Sequence, residues 1–216
     1  MQLLSFVFVQ HFDLACEAAL LFLVGALLAL PAARSGSALL TWLPLTLFRM
    51  VLRLLGEGPG AARLCLVIFG FNGTAMLLYM ASGFRPAIPA AVSLLTGYNI
   101  AVILFLAGQR RDLGDLAISP AAGWTPPRWL AGLCGLAVLV VELPCFWYSV
   151  AMGIGLGLEI TSGRTDYIQG IAPRLHAYLR VLLPALLVSA ACESIAIRGM
   201  STHAPQSPST PLTPDP

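Results

Sequence analysis

Val141-Glu142-Leu143-Pro144-Cys145-Phe146-Trp147-Tyr148, running on to Met152-Gly153-Ile154-Gly155-Leu156-Gly157, decides how this chain reads. It sets a carboxylate and a proline inside an apolar run, Trp129 to Leu158, that holds no other charge. That run exceeds the ~20 residues needed to cross a hydrocarbon core of ~30 Å. An ionisable group inside such a span is costly, so Glu142 is expected to face protein or a polar cavity rather than lipid. Steps of three or four along the helix from Glu142 meet Gly135, Cys145, Ser149, Gly153 and Gly157. Such a narrow face of small residues lets a second helix approach closely. Glu142 therefore reads as a contact residue, either hydrogen-bonded glue between helices or a group with a direct part in transport, recognition or chemistry. In its protonated form it can donate to an asparagine or a backbone carbonyl without carrying net charge.

The composition agrees with a bilayer environment. Of 216 residues, 58% are hydrophobic and only 10% charged, with a mean hydropathy of +0.84. A soluble domain carries about 25% charged residues. All twelve basic residues are arginine, and the net charge of +2 with no basic, aromatic-interleaved patch excludes a nucleic-acid partner. The five cysteines, Cys16, Cys65, Cys134, Cys145 and Cys192, all fall in apolar segments without a C-x-x-C pair. They read as small buried hydrophobes rather than a disulfide framework or a metal site. Nothing in the sequence calls for a cofactor.

Outward from the central run, the chain reads as an all-α, polytopic membrane bundle of about five transmembrane helices plus one interfacial amphipathic helix. Residues 1–200 form the membrane domain, and 201–216, rich in Pro, Ser and Thr, form a tail expected to be disordered. Leu14–Ala33 is the first span. Leu28-Ala29-Leu30-Pro31-Ala32-Ala33 resembles a signal-peptidase site, but no basic stretch precedes it and Asp13 and Glu17 do, so the helix is expected to be retained. Ala38–Leu55 carries Arg49 and Arg53 one turn apart and Pro44 within, and ends at Gly56-Glu57-Gly58-Pro59-Gly60. A helix lying at headgroup depth, arginines on its polar face and Trp42 at the interface, fits it best; a sixth span is the alternative.

Leu64–Phe84 and Pro86–Gly108 are expected to make a tight antiparallel hairpin about Ser82-Gly83-Phe84-Arg85-Pro86, with Asn72 on one arm and Asn99 on the other as polar core residues. Hydrogen bonds between such faces contribute about 0.6 kcal/mol each. Gln109–Arg128 reads as a polar connection, with Trp124 and Trp129 suited to an interfacial belt. Pro144 can free a carbonyl four residues back and kink the central span. Glu159–Arg174 is expected to be a further loop, and Leu175–Ile197 the last span, where Ala185, Ser189 and Glu193 share a face beside Cys192. Eight arginines (Arg34, Arg49, Arg53, Arg63, Arg110, Arg111, Arg128, Arg198) fall on one side and four (Arg85, Arg164, Arg174, Arg180) on the other. The richer side should be cytoplasmic, which puts the N-terminus outside and the C-terminus inside.

Three patches resemble the stage II sporulation protein M family of small integral membrane proteins. Phe71-Asn72-Gly73 with Gly97-Tyr98-Asn99 is similar to the family's paired asparagines. Val141-Glu142-Leu143-Pro144 with Ala151–Gly157 is similar to its Glu-hydrophobic-Pro segment and glycine-rich end. Leu186-Leu187-Val188-Ser189-Ala190-Ala191-Cys192-Glu193 is similar to its terminal helix. Together they span roughly Leu64 to Arg198 in the family's order. One feature departs: the family has Pro-His-Gly ahead of its Glu, where this chain has Ala137-Val138-Leu139. The resemblance implies a multi-pass scaffold; the family's namesake works in a complex with peptidoglycan-degrading enzymes during engulfment in spore-forming bacteria.

The function classes separate on these residues. A scaffold that positions membrane or envelope proteins, such as cell-wall hydrolases or transporter components, or further copies of itself, fits the small-residue faces and short connections. A transporter or channel subunit would use Glu142 and Glu193 as titratable groups. An intramembrane enzyme fits least, since H-E-x-x-H and G-x-S-x-G are both absent and the histidines are only His11, His176 and His203. The residues that carry the reading are Asn72, Asn99, Glu142, Pro144, Gly153, Gly157 and Glu193.

Overall fold

The computed structural model describes residues 8–108 and 125–201, and these are helical throughout apart from their connections. The helices are α1 (Phe12–Arg34), α2 (Ala38–Leu55), α3 (Ala61–Ala81), α4 (Ala87–Gly108), α5 (Arg128–Thr161), α6 (Tyr167–Ala177) and α7 (Leu183–Ser201), with one wide π turn, Tyr178–Leu182, joining α6 to α7. Each boundary has a local cause. Gly56 ends α2 at φ 67°, its N–H bonded to Leu52 O, a left-handed stop that suits glycine. Asp166 caps α6 by accepting from the backbone N–H of Gln169 at 2.8 Å. Pro184 cannot donate to the carbonyl of Arg180, and the helix widens into the π turn just ahead of it. The expected polar connection Gln109–Arg128 lies outside the described residues as far as 124, and so does the 202–216 tail.

Six helical stretches are long and apolar enough to cross a bilayer: α1 to α5 and the continuous run Tyr167–Gly199. Their directions set α2 apart. Ser93 of α4 donates to Ala18 O of α1, and Gly97 and Gly25 sit against Phe22 and Leu94 further along; α1 and α4 therefore run parallel. Along α5, His11 and Leu14 lie at Gly155 and Phe22 at Phe146, so α1 and α5 run antiparallel. Asn72 meets Glu142 and the turn after α3 meets Gly153 and Gly157, so α3 runs with α5. Glu142 meets Ser189 and Ala131 meets Gly199, so α7 runs against α5.

The five helices α1, α3, α4, α5 and the α6–α7 unit thus alternate in direction. One face holds residues 8–12, the α3–α4 turn and the α5–α6 turn; the opposite face holds the end of α1, the start of α3 and the end of α7. Helix α2 begins after α1 and ends before α3, so both of its ends lie on that second face. Arg63 at the start of α3 donates to Leu54 O near the end of α2 at 3.1 Å, which fixes the return. The fold is an all-α bundle with six stretches long and apolar enough to cross a bilayer, in which the chain leaves α1 and enters α3 on the same face, at the two ends of α2.

Two expectations are corrected. The α3–α4 pair is not a packed hairpin: α4 packs on α1, whereas α3 packs on α5 and α7. The cause is α5, whose Gly153 and Gly157 press into the turn between the two arms. Nor is Glu159–Arg174 a loop. Helix α5 continues to Thr161, a turn reverses the chain, and α6 starts at Tyr167.

Candidate functional site

The 34 residues of α5 extend about 51 Å at the usual helical rise, well over the ~30 Å of a hydrocarbon core. Its two halves differ. In the first half Trp129, Leu133, Leu136 and Val140 face outward; from Ser149 to Gly157 every residue is buried. Glu142 stands near the junction. Its Oε1 accepts from Asn72 Nδ2 of α3 at 2.9 Å, and Ser189 Oγ of α7 lies 3.2 Å from its Oε2. Asn72 is eleven residues into the 21-residue α3, which sets this three-helix contact near mid-depth. Next to it, Tyr178 in the π turn donates to Gly73 O at 2.6 Å, closing α3 onto the α6–α7 unit.

The geometry accommodates either protonation state of Glu142. A carboxylate accepts from both Asn72 and Ser189; a carboxylic acid keeps the Asn72 bond and gives its own proton to Ser189 Oγ. Glu193 lies one helical turn beyond Ser189, the residue of α7 that contacts Glu142. Among the described residues no ion pair reaches either carboxyl. Pro144, half-buried two residues beyond Glu142, leaves the Val140 carbonyl without its helical donor, yet α5 continues through it.

Sequence reasoning paired Asn99 with Asn72, but the structure does not bring them together. Asn99 lies on α4, and its Oδ1 is buried without a hydrogen-bond partner, as is Trp147 Nε1. Gly153 and Gly157 do act as close-approach positions, Gly153 toward the last turn of helix α3 and Gly157 toward the connection that follows it. A Cβ on Gly153 would stand 2.6 Å from Tyr79 O, and one on Gly157 would overlap Pro86. Between them Gly155 turns to the other side, toward Leu14, His11 and Arg174. Alternate glycines thus let one helix receive neighbours on opposite faces.

Arg174 is the residue that the sequence reading missed. Its side chain is 3% exposed and its Nη2 pairs with Glu159 Oε1 at 2.8 Å. Its Nε donates to Met152 O at 3.0 Å and its Nη1 to Gly170 O at 2.8 Å. One guanidinium so ties α6 to the glycine-rich end of α5. The readable signal was Asp166-x-x-Gln169, a helix start that turns the supposed loop into a packed element. Among the described residues no group of three or more His, Cys, Asp or Glu side chains is placed to hold a metal. No protein-family model, curated protein or solved structure matches this chain.

Proposed function

We propose that the protein is a multi-pass scaffold or assembly subunit of the cell membrane that positions partner proteins there. The observation that carries the reading is the use made of Glu142. Both of its oxygens are engaged by side chains from two other helices, Asn72 and Ser189, so its hydrogen-bonding capacity goes to holding the bundle. The resemblance to the stage II sporulation protein M family supports the same class, and its partners would be membrane or envelope proteins such as cell-wall hydrolases or transporter components. By the arginine count the face that carries α2 is cytoplasmic.

A second reading rests on a different observation: Glu193 lies one helical turn beyond Ser189, which contacts Glu142, and among the described residues no ion pair joins either carboxyl. Two such carboxyls suit a transporter or channel subunit that carries protons or cations. Two substitutions separate the readings. On the scaffold reading Glu142→Gln keeps the Asn72 and Ser189 contacts, and detergent stability and partner copurification stay near those of the parent. Glu142→Leu strands both partners and lowers stability by about 1–3 kcal/mol. Partner copurification unchanged in Glu142→Leu would remove the scaffold role. Proton or cation flux in proteoliposomes that is lost in a well-folded Glu142→Gln protein would establish transport instead.

A further inference from the structure

A groove of about 490 Å³ opens on the outside of the bundle between the end of α2 and the length of α3. Met50 and Leu54 of α2 form one wall at its upper end; Leu66, Gly70, Thr74 and Leu78, spaced four apart on α3, form its floor. Gly70 adds no side chain to that floor, and a Cβ there would stand in open space. From Leu66 to Leu78 the floor runs about 18 Å along the helix, and it descends from the face that carries α2 toward the membrane interior. An apolar trough of that length and direction matches one extended fatty-acyl chain.

The upper end is basic. Arg49 and Arg53 lie one residue before Met50 and Leu54 on α2, and Arg63 lies at the start of α3, all three exposed. Among the described residues no carboxylate pairs with any of them. Arg63 spends one of its N–H groups on Leu54 O and keeps others for a second acceptor. Glu57 is the acidic residue of the same corner, so the corner is net positive. Arg49 and Arg53 adjoin Met50 and Leu54 of the wall, and Arg63 is bonded to Leu54 O, so all three arginines belong to this end of the trough.

We propose that this groove binds an anionic phospholipid, with Arg49, Arg53 and Arg63 holding its phosphate and one acyl chain lying along α3 under the end of α2. Arginine is suited to this, since its planar fork matches phosphate oxygens and its aliphatic stem tolerates the bilayer edge. A lipid fits this groove better than a protein helix because the charge is confined to one end and the remainder of the trough is apolar.

Native mass spectrometry of the full chain released from detergent tests the proposal, with phosphatidylglycerol and phosphatidylcholine of matched chains as probes. The parent protein should retain phosphatidylglycerol preferentially. Arg49→Gln and Arg53→Gln should each weaken that retention by about fivefold while leaving phosphatidylcholine unchanged. Gly70→Leu, at an open position, should leave the melting temperature intact and displace both lipids. Equal retention of the two lipids by the parent, or lipid binding indifferent to Gly70→Leu, would overturn the assignment. So would a dimer that Gly70→Leu dissociates without any lipid preference, because a second copy would then fill the groove.

Discussion

At the residue scale, the buried guanidinium of Arg174 and the half-exposed carboxylate of Glu159 contribute unequally. Glu159 is 38% exposed and Arg174 only 3%, so the Coulomb part of the pair is screened from one side. Glu159→Gln is expected to cost no more than about 1 kcal/mol. Arg174→Met removes hydrogen bonds to Met152 O and Gly170 O as well and is expected to cost about 3 kcal/mol. Melting temperatures of the two variants in detergent rank them, and equal losses would mean that the ion pair, not the carbonyl contacts, holds α6. The importance of Glu142 was legible because a lone carboxylate in thirty apolar residues has few places to go. Arg174 was not, since an arginine between Pro173 and His176 in a polar stretch reads as solvated. Only the return of α6 onto Gly155 and Glu159 buries it.

At the element scale, glycine positions divide by what stands opposite them. Gly153→Ala pushes a methyl against Tyr79 O, 2.6 Å from the new Cβ, and is expected to destabilise by about 1–3 kcal/mol. Gly132→Ala, on the outward half of the same helix with nothing within 4 Å, is expected to be neutral or to stabilise by up to about 1 kcal/mol through better helix propensity. Thermal unfolding of both variants checks the contrast, and equal effects would mean that α5 is not wedged into the α3–α4 turn. The α5–α7 register has its own probe, because Cys134 of α5 and Cys192 of α7 are neighbours across the two helices. Mild copper-phenanthroline oxidation should link them, and Cys134→Ser should abolish the link. The long helices were readable from apolar length alone; the short α6 was not. Their pairing was not: parallel α1 and α4 are brought together by Gly25 and Gly97, and one glycine in an apolar helix does not announce which neighbour it admits. Asn99 misled for the same reason, as a polar residue on a helix names no partner.

At the scale of the whole molecule, the proposal that α2 does not cross leaves five crossings and sets Phe12 and Ser201 on opposite sides. A reporter fused at Ser201 should be active only as a cytoplasmic fusion, and one placed ahead of Phe12 only outside; the same compartment for both would mean that α2 crosses. Cysteines placed along Ala38–Leu55 should label from the cytoplasmic side at both ends of the helix. The parallel contact between α1 and α4 reaches beyond the finished fold, into synthesis. Helix α1 is made before α4, so the groove at Gly25 and the Ala18 carbonyl await Gly97 and Ser93 of a helix made only after α2 and α3. Until α4 arrives, the nascent chain presents an unmated notch to lipid. Membrane proteases that survey half-assembled chains would meet the protein at that stage, so its cellular abundance should be governed by the insertion of α4 rather than of α1.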